Sequence, residues 1–559
     1  MKIFTFLIKK VFNKKIIFSI LSLIILLSFA KSDLYKDVSS GWRDIYDVYK
    51  RININYSDNL DPEILSKAAI DGMLSKLDPY STYLIEDDNH NLNIITQGNY
   101  GGVGIQLGVR DDTLTVISPM DNSPAQKAGI ISGDKIIKVD SLSTLEMRID
   151  NAASKIRGPE NTNVKLTILR WGSEIIEFDL TRSKINIKDI SYSGLINPQT
   201  AYIRLNRFSR NSIKEMRSEL SSFNNLEVEN IIIDFRGNPG GLLDSAVDIL
   251  DLIIQKGNLL VSISGRTERS QKKFYSQNDP IVNVNTKIAI LIDGGSASAS
   301  EIVAGTIQDL DRGVIIGSNS FGKGLVQTAF PIDSDRTLKI TTAKYYIPSG
   351  RLIQKKGYID ENIKSKTSSP IEDDSVFTTI NGREVFSNGG ISPDYFIEDK
   401  LDYGMLTKKI WQKGYFFQFA TKLKNENSDL NFLQINDNII SDFKNFILSK
   451  NINLDTPMDD NLNLLKNNLK DEIESDISLK HSIDIISKYF EKNIEEMFDS
   501  EKDDIKLLLT RDIIWIFGGL EKRIESSFEN DPVITKALNV FNDEKEYYSK
   551  LNTNSNSIK

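Results

Sequence analysis

The chain has no cysteine and only two histidines, His90 and His481, and these shortages narrow its chemistry before any motif is read. Without cysteine there is no disulfide, no thiolate metal site and no cysteine nucleophile. Two histidines cannot build a histidine-rich metal centre, and a serine–histidine–aspartate triad would have to use one of them. Basic blocks are missing outside the N-terminus. The 69 Lys and Arg against 77 Asp and Glu leave a net charge of −8, which opposes a general nucleic-acid role because phosphate binding needs clustered cationic surface.

What is present is enough apolar sequence for several cores: 559 residues, 40% of them hydrophobic and 26% charged, predict three or four folded domains. Lys2, Lys9, Lys10, Lys14 and Lys15 precede an uncharged, mostly apolar run from Ile16 to Ala30 that ends Ser28-Phe29-Ala30. That is the layout of a signal peptide, too short for an ordinary membrane span and with small residues at the first and third positions before a cut after Ala30. The expectation is export to the periplasm or cell envelope, with residues 1–30 either removed or kept as a membrane anchor.

Residues 31–92 place apolar side chains at helical spacing (Trp42, Ile45, Val48, Tyr49; Ile64, Ala68, Ile70, Met73, Leu77) and predict two helices closed by Leu77-Asp78-Pro79-Tyr80-Ser81. Over 93–184 the period shortens to two, with strands expected at Leu114 to Ser118, Lys135 to Val139 and Val164 to Leu169, so this segment reads as a small mainly-β module. From 185 to 397, apolar strands at 231–233, 288–292 and 314–316 alternate with helical patterns at 241–254 and 298–310, which indicates an α/β layer. Residues 398–559 read as a helical C-terminal domain, with Ile505, Leu508, Leu509, Ile513 and Ile516 on one face and the last ten residues frayed.

Chemistry concentrates in the α/β region. Asp293-Gly294-Gly295-Ser296-Ala297-Ser298-Ala299-Ser300-Glu301 stands between a buried strand and a helix. A small-residue turn at a helix start lets a substrate backbone approach, and unpaired N–H groups there favour an oxyanion. The plain alternative is a helix N-cap with flexible glycines, and spacing does not choose among the three serines. His90, in a polar turn, and His481, in the helical tail, are poorly placed as a base. Lysine is the substitute, provided burial or a neighbouring cation removes its charge, since its ordinary pKa of about 10.4 keeps it protonated. Lys323, flanked by glycines in Phe321-Gly322-Lys323-Gly324, is the candidate, with Gln327 available to orient it.

Gly317 to Lys323 also matches a phosphate-binding loop, but Gly324 stands where a metal-holding hydroxyl is needed and strands, not a helix, are expected after it. Arg236-Gly237-Asn238-Pro239-Gly240-Gly241 is a turn able to supply N–H donors, or simply a tight connection. In the β module, Gly101-Gly102-Val103-Gly104-Ile105 can grip a terminal carboxylate while the next strand adds a peptide to the sheet; its plain reading is a hairpin turn. Ser123-Pro124-Ala125 predicts a short capped helix ahead of a turn at Gly133-Asp134.

Together these segments, from Leu77-Asp78-Pro79-Tyr80-Ser81 through Ile156-Arg157-Gly158-Pro159 to Tyr345–Gln354 and Gly389–Asp394, resemble the carboxyl-terminal processing peptidases, or tail-specific proteases. The resemblance implies a ClpP/crotonase-like α/β core (185–397) carrying an inserted PDZ domain (93–184), between the helical N-terminal segment and the all-α C-terminal domain. It implies a serine endopeptidase with Ser298 as nucleophile, Lys323 as general base and Gln327 in support. Ala299 and Gly241 would be the oxyanion donors, with Gly240 the nearest alternative to the latter. Gly102, Val103, Gly104 and Ile105 would bind a substrate C-terminus, and Arg157 would couple the PDZ domain to the active site. No metal or cofactor is implied, and substrates would be proteins with apolar C-termini. Ser141 and Asn161 depart from the family's glycines. The competing reading is a catalytically inactive PDZ adaptor. The helical tail is a candidate for homodimer packing or for docking an adaptor protein.

Overall fold

The computed structural model describes residues 36–110, 112–170, 172–355, 375–387, 389–398, 403–427, 435–450, 452, 454, 457–490 and 493–551. The leader expected at 1–30 lies outside the described residues. Among the described residues no helix is long and apolar enough to cross a membrane.

Two compact units result, the first running through Tyr83. Its described part is a helix over 36–55 and a second at Pro62–Leu74, started by Pro62 and capped by Asp61, whose carboxylate accepts from the Glu63 N–H. Tyr49 donates to the Pro62 carbonyl at 2.9 Å. The apolar faces of these helices are open in this unit: Trp42, Val48 and Ile64 are exposed. Asp78 closes the turn by accepting from Tyr80 N–H and the Ser81 hydroxyl. The next helix, Asp87–Gln97, belongs to the second unit and was not expected; it carries His90, which therefore sits on a helix rather than in a turn.

Within the second unit the β module is a sheet in the order Ile105–Arg110, Thr113–Pro119, Lys135–Val139, Asn163–Arg170, Glu174–Thr181. It closes over Val103, Ile105, Val116, Ile136, Ile156, Leu166 and Ile168. Ser123 caps the short helix Pro124–Lys127. The two departures from glycine are accommodated: the left-handed residues are Asp140 (φ 52°), one before Ser141, and Asn161 (φ 64°), and Asn and Asp tolerate that region. The chain enters and leaves the module through a single antiparallel pair, Asn99–Gly102 with Ser183–Asn186, as an inserted domain must.

The α/β region is built on a six-stranded sheet, in the order Ile190–Asn197, Thr200–Leu205, Asn230–Asp234, Lys287–Ile292, Val314–Gly317, Tyr395–Phe396. All its pairings after the first are parallel. Continuous apolar runs such as Ile231-Ile232-Ile233 arise because such strands are covered on both faces. Alternate residues Ile231, Ile233, Ile288 and Ile290 face a core shared with the helices Ser212–Asn225, Leu243–Asp251 and Ala299–Asp309. The intervening Ile232, Ala289 and Leu291 face Val533, Ile534, Ala537, Val540 and Phe541 of the C-terminal region. A second, antiparallel sheet centres on Arg336–Tyr346, paired with Leu259–Gly265 and with Leu325–Pro331. Lys323 leads directly into the strand Leu325–Pro331, so the helix that a phosphate-binding loop requires at this point is not there.

The C-terminal region is helical, and its long helix Lys502–Glu525 is broken at Gly519 (φ 83°, ψ 179°). Leu551, expected to be frayed, is buried against the sheet.

Candidate active site

The strand Lys287–Ile292 ends in the turn 293–298, and the next helix, Ala299–Asp309, is buried along its whole length. Ser298 takes φ 56°, ψ −111°, a conformation that costs a non-glycine residue on the order of 1–3 kcal/mol and persists only where its surroundings enforce it. The other two serines are occupied: the Ser296 hydroxyl donates to the Phe235 carbonyl at 2.8 Å and the Ser300 hydroxyl to the Asn238 carbonyl at 3.0 Å, both fully buried. Ser298 is the partly exposed one. Burial thus separates three serines that spacing could not.

Two polar groups tie this turn to Lys323. The Glu301 carboxylate is fully buried; one oxygen accepts from the Ser298 N–H at 2.8 Å and the Lys323 N–H at 2.9 Å. Its other oxygen accepts from the Gly322 N–H at 2.7 Å and from the Ser320 hydroxyl. Burial pushes the Glu301 carboxyl above its usual range against the pull of these four donors. The buried Tyr345 hydroxyl contacts the carbonyls of both Ser298 and Lys323. Neither Glu301 nor Tyr345 was assigned a role by sequence reasoning. Glu301 carried a readable signal, since a glutamate three residues after a serine at a helix start is a capping arrangement. Tyr345, on another sheet, stood only as the first residue of a segment that resembles the family, with nothing to mark this contact.

The turn 236–241 lies against the serine. A Cβ on Gly240 would stand 2.8 Å from the Ala299 nitrogen and 2.9 Å from the Ser298 Cβ, so only glycine fits. Ala297 N–H donates to the Asn238 carbonyl, and Gly237 N–H to the Asp293 carboxylate. Of the two glycines considered as oxyanion donors, Gly240 donates its N–H to the Asn238 side chain at 2.9 Å. Among the described residues the N–H groups of Gly241 and Ala299 meet no acceptor. Gly241, at φ 149° with its notional Cβ 2.2 Å from the Phe208 carbonyl, also has no room for a side chain.

Gln327 and Arg157 both have defined partners. The Gln327 amide donates to Thr341 Oγ1 at 3.2 Å and the Leu325 carbonyl. Arg157 ends the helix Ile149–Ile156, donates to Asn91 on the helix Asp87–Gln97 at 2.7 Å and stacks on Tyr100. Its contacts are therefore at the neck of the β module and not at the serine turn.

At the peptide-binding candidate, Ile105–Arg110 is an edge strand, so one side of it is open to a further strand. The Val103 and Gly104 carbonyls accept from Ala125 and Met120, while among the described residues their N–H groups have no acceptor. Gly104 (φ 73°) would clash with Ser123 if it bore a Cβ. No group of acidic or histidine side chains suited to a metal occurs among the described residues. A cavity of about 670 Å³, lined by Arg110, Arg170, Phe417 and Lys450 among others, opens between the β module and the C-terminal helices and includes neither the Ser298 nor the Lys323 turn.

Comparison with known proteins places these elements. Residues 199–365 match the model of Peptidase family S41, and 115–170 that of the PDZ domain. Residues 28–88 match the activating protease CtpB N-terminal domain, and 406–541 the C-terminal helical domain of probable PDZ-proteases. A carboxy-terminal-processing protease of Bartonella bacilliformis is 36% identical over 313 residues, 55% of this chain and 71% of that one. A probable CtpA-like serine protease of Staphylococcus aureus is 36% identical over 328 residues, 58% of this chain and 65% of that one. Among solved structures, a photosystem II D1 C-terminal processing protease is 23% identical, with 64% of this chain and 86% of that one covered at a TM-score of 0.37. The chain belongs to the carboxy-terminal-processing serine proteases of peptidase family S41 and carries a PDZ domain.

Proposed function

We propose that the chain is an exported serine endopeptidase that cuts proteins near their C-termini with a Ser298–Lys323 dyad. The observation that carries this reading is the double tie between the two turns: the buried Glu301 carboxylate and the Tyr345 hydroxyl each bond to the backbone of both Ser298 and Lys323. Such preorganisation holds a nucleophile and its base in register.

In the proposed reaction the substrate's apolar tail adds to the edge strand Ile105–Arg110, its carboxylate resting on the N–H groups of the Gly102–Ile105 loop. Neutral Lys323 takes the Ser298 proton as Oγ attacks the scissile carbonyl. The resulting oxyanion is met by the free N–H groups of Ala299 and Gly241. Lys323 then passes its proton to the leaving amine, leaving an ester on Ser298. Water, deprotonated by Lys323, attacks the ester; Ser298 Oγ leaves, takes the proton back from Lys323, and the new C-terminus is released. Export rests on the leader-like residues 1–30, and Arg157 and Gln327 enter as candidates for PDZ coupling and for support of the base.

The test is cleavage of an unstructured protein ending in apolar residues by the chain from residue 31 onward, alongside Ser298→Ala, Lys323→Ala and Ser300→Ala. Cutting lost in the first two variants and retained in the third is the expected pattern. Cutting that survives Ser298→Ala would sink the assignment. An intact chain that binds such tails but cuts nothing would favour the adaptor reading.

A further inference from the structure

The turn that presents Gly241 begins at Arg236, and this arginine reaches outside the α/β region for one of its partners. Its side chain is 12% exposed. The guanidinium bonds to Asp234 at 2.7 to 3.1 Å, and the Arg236 N–H donates to the same carboxylate at 2.8 Å. Asp234 is fully buried at the end of its strand, where Tyr202 also donates to it. The outer edge of the guanidinium is held by Asp531, at 3.1 Å from Nη1 and 2.8 Å from Nη2. Asp531 is the N-cap of the helix Pro532–Asn542 in the C-terminal region, and one of its oxygens also accepts from the N–H groups of Val533 and Ile534.

We infer that Asp531 is a positioning residue for catalysis, acting through Arg236 to hold the 236–241 turn against the serine. The inference rests on the reading of Gly241 as an oxyanion donor. From Arg236 onward the turn is fastened to the serine side by Gly237 to Asp293 and by Asn238 to Ala297 and Ser300. At its far end Gly240 and Leu242 pair with Phe208. Arg236 is the anchor at the near end, and its guanidinium is located by two carboxylates on different parts of the chain. A bidentate, charge-assisted contact fixes direction as well as distance. A small shift of an oxyanion donor matters, because a misplacement of about 1 Å can cost roughly 10²-fold in rate.

The alternative is that Asp531 only docks the helix. Docking has other means: Lys287 donates to the Phe541 carbonyl, Tyr547 bonds to the Ile288 backbone, Asn381 donates to the Leu551 carbonyl, and the apolar residues from Val533 to Leu551 cover the sheet. Among the described residues, none of these contacts touches a catalytic turn.

Asp531→Asn separates the two roles, since asparagine is as good an N-cap as aspartate but carries no charge for Arg236. In the full chain it is compared with Asp531→Ala, which also loses the cap, by peptide hydrolysis, by affinity for a peptide aldehyde that forms an oxyanion at the serine, and by thermal unfolding. The expected result for Asp531→Asn is a kcat lowered about 3- to 10-fold and aldehyde binding weakened in proportion. KM and the unfolding temperature should stay close to wild type. A wild-type kcat and aldehyde affinity in Asp531→Asn, with loss appearing only together with lower thermal stability in Asp531→Ala, would reduce Asp531 to a cap and overturn the inference. That failure is distinct from failure of the underlying reading, which would show as hydrolysis surviving Ser298→Ala.

Discussion

The C-terminal region holds two helical layers with different employments. The first, from Met405–Gln412 through Ile516, has a core of its own, in which Phe416, Phe419, Phe443 and Phe498 cluster with Ile505, Leu509 and Ile513. It borrows Ile117 from the PDZ domain, and Arg110 stacks on its Phe417. The second, from Ile524 to Leu551, lacks an independent core; its apolar face is completed by Tyr202, Ile232, Ala289, Leu291 and Ile316 of the peptidase sheet. Gly519, left-handed inside the long helix, is where the chain passes from one layer to the other. One amphipathic pattern thus serves two purposes: the first layer is a neighbour of the PDZ domain, whereas the second is part of the peptidase.

On that contrast, damage to the second layer should be the most severe. Ending the chain at Gly519, or placing an unpaired charge in the seam with Ile534→Asp, should abolish cooperative unfolding of the peptidase, because a buried uncompensated charge costs several kcal/mol. Circular dichroism and gel filtration would show it, and a folded, active chain ending at Gly519 would break the comparison. Phe443→Ala in the first layer should cost about 3–5 kcal/mol locally. Hydrolysis of a short ester should remain within about 3-fold of wild type, with the loss confined to amide protection between 405 and 516.

The smallest expected difference is in pH response. Asp512, in the first layer, is held above its ordinary range chiefly by burial, with Arg511 and Arg523 opposing. Its penalty is complete above that raised value and fades as pH falls toward about 4, the ordinary carboxyl value, so mild acid should tighten this layer. Asp234, beneath the second layer, is also buried, but Arg236 outweighs that and holds it low. Its contribution persists down to about pH 4 and is lost only below. Hydrogen exchange at pH 7 and at about pH 4 should therefore show protection rising around Asp512 and little changed around Ile232, and Asp512→Asn should remove the first response.

Much of this was open to reading in one dimension because it is local. Strand runs such as Ile231-Ile232-Ile233, the serine turn before Ala299–Asp309 and the glycines at 101–104 follow from side-chain period and from backbone freedom within a few residues. The helix Asp87–Gln97 was not legible: it starts without a side-chain cap and its apolar positions are sparse. Gln327 points to Thr341 because strand pairing, not sequence distance, chooses its neighbours.

By itself the sequence pointed to the family, through the motifs around its serine turn and its glycine-rich loops, and it gave the order of the modules along the chain. Only the tertiary structure decided which of three serines remains accessible, which glycine N–H is left free, and that a buried glutamate and a tyrosine join the Ser298 and Lys323 turns. It also decided that the last helices belong to the peptidase sheet. These choices depend on burial and on hydrogen bonds between residues tens to hundreds of positions apart, which no local pattern encodes.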